Sequence, residues 1–477
     1  MMMILLTAWK NVWRNKIRSL VVIASITVGI FAGVFAVGLM SGTMEQRVDA
    51  ALNQEVAHIQ INQPGFRDNY DIDLLLENSH EVAKQLENIS GVSAVADRLV
   101  INAIASTATK SKGVQLIGID PPKEKQVLEL DKTLIAGSGN YFETKSRYKL
   151  AFIGEDLAKE LNIIRFRIDE SVLDSLSEKG IPEEVISKIR PFQDTRFASE
   201  KAFLKSMKNV LSAMESKTYG GSILEEAWTF RDRSKLTLTF LDKDNIQTGG
   251  MFRIAGIYDV NNSMFEESQL FVLQEDLKEL TGIDKDAAHI ELLKIIDRDQ
   301  TNEITEEIRQ LYPELEVLNW KEISPDLAMM TAMVEKFHAV FLIIILAALS
   351  FGIVNTMLMV VLERTKELGM LTAIGMNKKR VFTMIMSESV FLTLVGGVVG
   401  MIISRITLWF TASKGINFAS AAEGFEAMGF SAHIYPSITN TFFITVTVLI
   451  IITGILSSIY PALKALRLDP AEALRTE

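Results

Sequence analysis

Glu388 is the residue with the strongest chemical potential in this sequence, because it is an acid inside an apolar run that extends from Val381 to Ser404. An acidic side chain within a membrane span is a candidate proton relay or cargo-binding carboxylate. Glu388 follows Arg380 by only eight residues, which instead favours a position level with the lipid headgroups. The sequence leaves both interpretations open and favours the second.

Patterns typical of enzymes are missing from the 477 residues. There is no G-x-x-x-x-G-K-[ST] nucleotide loop, no H-E-x-x-H and no G-x-S-x-G. The five histidines are far apart and have no ligand spacing: His58, His80, His289, His338 and His433. We therefore expect no enzymatic activity of the chain's own, no metal and no bound cofactor. The formal net charge is −10, so the chain also lacks the basic surface typical of a nucleic-acid-binding protein.

The stretch "ERTKELGMLTAIGM", Glu363 to Met376, predicts a short amphipathic helix with a surface for a partner. An alternative is a helix that only lies on the lipid surface, and residue spacing does not decide between them. Its candidate interface residues are Glu363, Arg364, Lys366, Glu367, Leu368, Gly369, Met370, Ala373, Ile374 and Gly375, the last as a helix stop.

The chain is 48% hydrophobic and 23% charged. Its apolar residues are concentrated in four long runs, which contain or flank the residues named above. Each is long enough for a helix that crosses about 30 Å of hydrocarbon. We predict spans at residues 20–40, 337–362, 381–410 and 441–463. In the first span, Ser25, Gly29 and Gly33 form a small-residue face that favours close packing with another helix, or lateral opening.

The distribution of charge predicts the orientation, because Lys and Arg accumulate on the cytoplasmic side. Residues 1–19 are basic and form an amphipathic elbow helix, and residues 363–380 are basic too. Residues 41–336 contain 35 Lys+Arg against 51 Asp+Glu, a formal charge of −16. The termini, including the tail 464–477, should therefore be cytoplasmic, and residues 41–336 and the loop 411–440 periplasmic.

Alternating strand and helix patterns predict an α+β periplasmic domain at residues 41–336. Residues 163–233 differ from the rest because they are charged and mostly helical in pattern, with residues 199–217 as the clearest helix. We interpret them as an insertion into the α+β core.

The motif at Glu363 resembles that of FtsX-like ABC-transporter permeases, roughly E-[KR]-x-x-E-[IL]-G-x-x-x-A-[IV]-G. It is followed by a span with "GGVVG" (Gly396 to Gly400). "AWKNVWRNKIRS" (Ala8 to Ser19) is similar to the elbow of that family, and "YPALKALRLDPAEALRTE" (Tyr460 to Glu477) to its C-terminal ending. "GIDPPKE" and "FIGEDLAKELN" are similar to lipoprotein-releasing and macrolide-exporter-type permeases, whereas residues 163–233 depart from that pattern.

This resemblance implies that residues 363–380 are a coupling helix that docks on a separate ATPase subunit, which would hold ATP and Mg. It also implies a permease dimer, with a second copy or a relative, that transmits ATPase closure to the periplasmic domains, a mechanism called mechanotransmission. The chain would be a multi-pass protein of the inner membrane.

Three functions follow as hypotheses. The favoured one is release of lipoproteins from the inner membrane to a periplasmic carrier, supported by "AHIQINQPGF" (Ala57 to Phe66). The others are efflux of the macrolide-exporter kind and a signalling module that regulates a periplasmic partner.

Overall fold

A computed structural model describes residues 2–142, 146–197, 199–231, 234–418, 424–425 and 429–466, apart from the side chains of Met2, Thr372 and Ala373. The chain divides into two compact units. The membrane unit comprises Met1–Val48, Asp326–Ala422 and Ser431–Glu477, and the α+β unit comprises Asp49–Pro325 and Glu423–Phe430. Most of the predicted tail 464–477, with its C-terminal motif, lies outside the described residues.

The described helices and strands alternate irregularly along the chain. The helices are α1 (Met2–Arg14), α2 (Lys16–Ala50), α3 (Phe66–Asn69), α4 (Ser79–Glu87), α5 (Pro121–Val127), α6 (Glu155–Glu160), α7 (Glu170–Glu178), α8 (Glu183–Ile189), α9 (Glu200–Val210), α10 (Ala213–Ala227), α11 (Ser263–Ser268), α12 (Gln274–Thr281), α13 (Thr301–Leu311), α14 (Trp320–Ile323), α15 (Pro325–Glu363), α16 (Thr365–Ala373), α17 (Lys378–Lys414) and α18 (Asn440–Leu466). The strands are β1 (Ile59–Asn62), β2 (Val92–Ser106), β3 (Ser111–Ile119), β4 (Leu150–Gly154), β5 (Ile164–Arg167), β6 (Arg196–Phe197), β7 (Trp228–Phe230), β8 (Lys235–Leu241), β9 (Gln247–Tyr258), β10 (Gln269–Leu273), β11 (Ile290–Ile295), β12 (Glu316–Asn319), β13 (Ile416–Asn417) and β14 (His433–Ile434).

Among the described residues, the four helices α2, α15, α17 and α18 are long and apolar enough to cross a membrane. Each contains one of the four predicted apolar runs. The strands of the α+β unit lie between the first and second of these helices in the chain. The predicted fold class, four spans with an α+β domain inserted after the first, is therefore confirmed.

Glycines set the packing distances around α17. A Cβ atom on Gly396 would lie 2.8 Å from the Cβ of Ile26, and one on Gly400 would lie 2.9 Å from the carbonyl oxygen of Thr27. A Cβ atom on Gly397 would lie 2.8 Å from Cδ1 of Ile450. Both α2 and α18 therefore approach α17 more closely than a side chain at these positions allows.

The α+β unit is built on a nine-stranded sheet in the order β12-β1-β11-β2-β3-β10-β4-β9-β8, in which β8 also pairs with β2. That extra pairing joins Ala103–Ser106 of β2 to residues 237–240 of β8 and closes six strands into a ring. The amino-terminal half of β2 pairs with β11 instead, so β11, β1 and β12 extend outward from the ring. Leu99, Leu116 and Leu238 belong to an apolar core that the ring strands share.

Residues 164–230 have an apolar core of their own, which includes Leu176, Ile186 and Phe203. They also form a separate three-stranded sheet, β6-β5-β7. The single helix expected at residues 199–217 is wrong, because α9 ends at Val210 and α10 begins at Ala213. Ser212 and Glu215 form a capping box at that break, and such a box favours a new helix start over continuation.

Glu291 is a fully buried acid on β11. It lies opposite Asp97 of β2 in the sheet and accepts a hydrogen bond from the hydroxyl of Ser79. Burial raises the pKa of the Glu291 carboxyl to about 8 from an ordinary value of 4.5, because a charged carboxylate loses its hydration there.

We expect Glu291→Gln to remove a pH dependence of stability. Between pH 4.5 and 8 the folded state keeps a proton on Glu291 that the unfolded state releases. The contribution of Glu291 to the free energy of unfolding should thus fall with rising pH in this window, by up to about 1.4 kcal/mol per pH unit. Glutamine does not titrate, so the variant should gain stability relative to wild type as the pH rises.

Thermal unfolding of the purified chain, followed by near-ultraviolet circular dichroism from pH 5 to 8, measures this difference. Glu303→Gln, which changes an exposed acid on α13, serves as the control. Parallel profiles for wild type and Glu291→Gln would contradict the assignment.

Candidate docking site between the second and third spans

The segment between the second and third spans is a short helix with defined ends. α15 stops at Glu363 and α16 occupies Thr365–Ala373. Gly375 has a φ of 96°, a conformation that glycine adopts without strain and that turns the chain after a helix. The side chain of Asn377 then accepts a hydrogen bond from the backbone of Lys379 at 2.9 Å and caps α17. α16 is thereby bounded by the end of α15 on one side and by the Gly375 turn before α17 on the other.

Arg364, at the start of this segment, pairs with the buried acid Glu388 of α17. The Nη1 atom of Arg364 lies 3.1 and 3.2 Å from the two carboxylate oxygens of Glu388. The side-chain amide of Asn11 on α1 donates to the same carboxylate at 2.6 Å. Glu388 is only 4% exposed, so it serves as an ion-pair partner within the chain, and its level relative to the lipid headgroups stays a prediction. This ion pair links three helices.

Two further ion pairs connect α1 and α2 to the motif. Glu367 lies 2.8 Å from Arg14 and 3.0 Å from Arg364, and Glu363 pairs with Arg18. The Arg14 and Arg364 guanidinium groups hold the pKa of the Glu367 carboxyl below its usual value. Because Arg14 and Glu367 are about half exposed, their pair contributes at most about 1 kcal/mol. Its value lies in fixing the position of α16.

The remaining motif residues divide into an inner and an outer set. Leu368 and Gly369 are buried within the chain. Lys366, Met370 and Ile374 are exposed at four-residue spacing, with Met370 50% and Ile374 79% exposed. We call these three residues the outer row. The outer row therefore offers exposed apolar and lysine side chains, beside the half-exposed acids Glu363 and Glu367, and the side chain of Ala373 lies outside the described residues.

The small-residue face of the first span is directed toward α15 in the same chain. A Cβ atom on Gly29 would lie 2.7 Å from Cδ2 of Leu349, and one on Gly33 would lie 2.8 Å from Cδ1 of Ile345. Ser25 is instead exposed and donates to the carbonyl oxygen of Val21 at 2.9 Å. Gly29 and Gly33 therefore serve close packing inside the membrane unit.

One group of acids in the described part of the chain has the spacing of metal ligands. Carboxylate oxygens of Glu155, Asp259 and Glu266 all lie within 4.8 Å of one another. Burial raises the pKa of Glu266 to about 8, and Glu155 is paired with Lys159 at 3.1 Å. A lysine partner and a carboxyl that holds its proton both weaken such a group as a cation site.

The ion pairs between the elbow and the motif escaped the sequence analysis, although a signal for them exists. Arg14 and Arg18 are four residues apart, and so are Glu363 and Glu367. The opposite charges of the two segments are therefore readable, although each pair is split between two helices, since α1 ends at Arg14 and α15 ends at Glu363. Which residues meet is not readable, because the partners are about 350 residues apart in the chain.

The arrangement defines a multi-pass membrane protein in which the segment between the second and third spans is fixed by ion pairs and presents one outer row. Residues 339–470 match the family model described as FtsX-like permease C-terminal. The chain therefore contains an FtsX-like permease domain and is homologous to the ABC-transporter permeases YknZ and MacB, as its motif predicts.

Three relatives illustrate this. The chain is 32% identical over 163 residues to the uncharacterized ABC transporter permease YknZ of Bacillus subtilis, covering 34% of this chain and 36% of that protein. It is 36% identical over 126 residues to the macrolide export ATP-binding/permease protein MacB of Chlorobium luteolum, covering 26% and 16%. The crystal structure of the extracellular domain of YknZ from Gram-positive bacteria matches with a TM-score of 0.29 and 12% identity, covering 55% of this chain and 99% of that one.

The matched segments span about a third of YknZ and about a sixth of MacB in length. The family assignment thus concerns the permease domain, and the activity of the whole chain is a matter of proposal. The architecture of the α+β unit rests on its own strand order.

Removing one partner of the Arg364–Glu388 pair should destabilise the membrane unit more than neutralising both. Arg364→Gln leaves a buried carboxylate without its counter-ion, which costs about 3 kcal/mol or more. Adding Glu388→Gln removes that charge and keeps an oxygen for Asn11. The melting temperature of the purified chain should therefore fall in Arg364→Gln and recover in the double variant. Equal losses in both would show that the pair is not coupled.

Proposed function

We propose that this chain is the permease subunit of an ABC transporter and that a separate ATPase subunit docks on the outer row of α16. The proposal rests on which residues of the motif are engaged within the chain and which are exposed. Its acids are engaged by Arg14, Arg18 and Arg364 within the chain, whereas Met370 and Ile374 are exposed. Exposed apolar side chains beside a lysine suit a partner surface. ATP and Mg would be bound by that partner.

The ion-pair network provides a route for force, in the mode of mechanotransmission. A push on α16 reaches α17 through Arg364 and Glu388, and α1 through Glu367 and Arg14. α15 is one continuous helix from Pro325 to Glu363, so it can carry the displacement along the second span. Two permeases, identical or related, would respond together to closure of the ATPases.

Two cargo classes remain as proposals for this transporter. Release of lipoproteins toward a periplasmic carrier, from an inner membrane, is supported by the sequence similarity at residues 57–66. Export of a small molecule is supported equally by the similarity to MacB, a macrolide export protein. Regulation of a periplasmic partner is the third possibility and has no specific contact in its favour.

Met370→Glu and Ile374→Glu should each weaken binding of the ATPase at least roughly tenfold, because each buries a charge in an apolar contact. Co-purification of the ATPase with the permease, together with ATP hydrolysis in nanodiscs, measures the loss. Met264→Glu, at an equally apolar and 81% exposed position of the α+β unit, is the matched control. Replacements of Gly369 or Glu367 are less suitable, since Gly369 is buried and Glu367 is paired with Arg14 and Arg364.

The same two variants also distinguish docking on the ATPase from contact with lipid alone. If the outer row only lies on lipid, both variants should bind the ATPase normally and detach α16 from the bilayer. A fluorophore at Lys366→Cys would then report increased exposure to water. Undiminished ATPase binding in both variants would refute the docking site.

Depletion of the protein should distinguish the two cargo classes. Loss of a lipoprotein-release permease leaves acylated lipoproteins in the membrane where they are made, whereas loss of an exporter leaves their distribution unchanged. Membrane fractionation after metabolic labelling with a fatty acid measures this. A normal distribution would exclude lipoprotein release while leaving the docking proposal intact.

A further inference from the structure

A groove of about 420 Å³ opens on the surface of the membrane unit between α17 and α18. α17 contributes four residues to it, spaced i, i+3, i+4 and i+7, namely Val398, Met401, Ile402 and Arg405. α18 contributes four residues with the same spacing, namely Asn440, Phe443, Ile444 and Thr447. This spacing places each set on one face of its helix, over about 10 Å of helix length. The groove therefore runs along both helices, in the part of α17 that is distant from α16.

The packing of α17 on α18 explains why the groove lies there. A Cβ atom on Gly397 would lie 2.8 Å from Cδ1 of Ile450, and one on Gly454 would contact the hydroxyl of Thr393. The two helices are thus in close contact at these glycines. Along the groove the facing residues are larger than glycine, and larger side chains keep two helix backbones further apart. The groove begins where the contact through small residues ends.

The walls of the groove are apolar and exposed. Val398 is 45%, Ile402 53% and Ile444 67% exposed. The hydroxyl of Thr447 donates to the carbonyl oxygen of Phe443 at 2.7 Å, so it is engaged within α18. Both helices are long and apolar enough to cross a membrane, and exposed apolar side chains on such helices contact acyl chains. The walls therefore suit an acyl chain.

Among the described residues that line the groove, Arg405 alone is charged. Arg405 is exposed, and its guanidinium lies over the Phe443 ring, 5.5 Å from the ring centre. No carboxylate pairs with it in the part of the chain that the structure describes. A cation on a lipid-facing surface requires a counter-charge, and these residues do not supply one.

The level of Arg405 along α17 suits a lipid headgroup as that counter-charge. Trp409 follows one turn later and is 75% exposed, and tryptophan is enriched where the membrane meets water. A guanidinium one turn inside that level can extend to the headgroups, where it can bind a phosphate through two parallel hydrogen bonds. An ammonium group would find no carboxylate among the groove residues that the structure describes. A headgroup without an amine therefore fits better.

We propose that this groove binds a phospholipid with an anionic headgroup. Arg405 binds the phosphate, and Ile402 and Ile444 contact one acyl chain. The site lies within the membrane unit, so it does not depend on the ATPase docking or on the cargo proposed above.

Quenching by brominated lipids tests the proposal. The chain has no cysteine, so Ile406→Cys, at a 60% exposed position beside Arg405, gives a single site for a bimane label in the full-length protein. In phosphatidylcholine nanodiscs, brominated phosphatidylglycerol should quench this label severalfold more strongly than brominated phosphatidylcholine at the same mole fraction. Ile344→Cys on α15 is also at a 60% exposed position and should be quenched alike by the two lipids, which controls for nonspecific enrichment of anionic lipid.

Variants of the groove separate the charge from the apolar walls. Arg405→Gln should abolish the preference for phosphatidylglycerol, and Arg405→Lys should retain most of it because the charge is kept. Ile444→Trp keeps Arg405 but fills the groove, and it should also reduce the preference. A preference that persists in Arg405→Gln, or equal quenching by both lipids in the parent, would overturn the anionic site. Absence of quenching by either lipid would show that protein covers the groove and would overturn lipid binding there.

Discussion

A buried carboxylate in a membrane helix requires a fixed counter-charge, and this requirement organises the membrane unit. Glu388 is almost fully buried, and Arg364 reaches it from the junction of α15 and α16 as its counter-ion. Asn11 completes the site from α1. The three helices are thereby joined at one point, and the orientation of α16 follows from it. The exposure of Met370 and Ile374 is a result of this anchoring, because the opposite side of α16 is turned toward the chain.

The membrane part of this architecture was predictable because its signal is local. An apolar run of the required length has one stable form in lipid, a helix, and each of the four runs is one. The motif at Glu363 and its glycine stop were readable for the same reason. The ion pairs were not, since Arg14 and Glu367 are brought together by packing between helices distant in sequence. The outer row could be separated from the inner set only once those pairs were known.

The α+β unit shows where strand patterns fail. β8, β9 and β10 have the alternating or apolar patterns typical of strands. β2, the longest strand described, lacks such a pattern in its first half, because Asp97 and Arg98 interrupt its apolar residues. Both are buried and paired, Arg98 with Glu124 and Asp97 with Lys123 at 2.6 Å. Paired charges inside a sheet violate the rule that charged residues mark surfaces, and their partners on α5 could not be identified from local sequence.

The glycines of α17 have a consequence for how the membrane unit can move. Gly396 and Gly400 receive α2 on one side, and Gly397 receives α18 on another. Rotation of α17 about its own axis by even a fraction of a turn would drive Val398 or Val399, which now point outward, into a neighbouring backbone. The close packing at these glycines therefore couples the positions of α2, α17 and α18. Close packing at these glycines disfavours rotation of α17 alone and favours joint tilting or translation of the three helices.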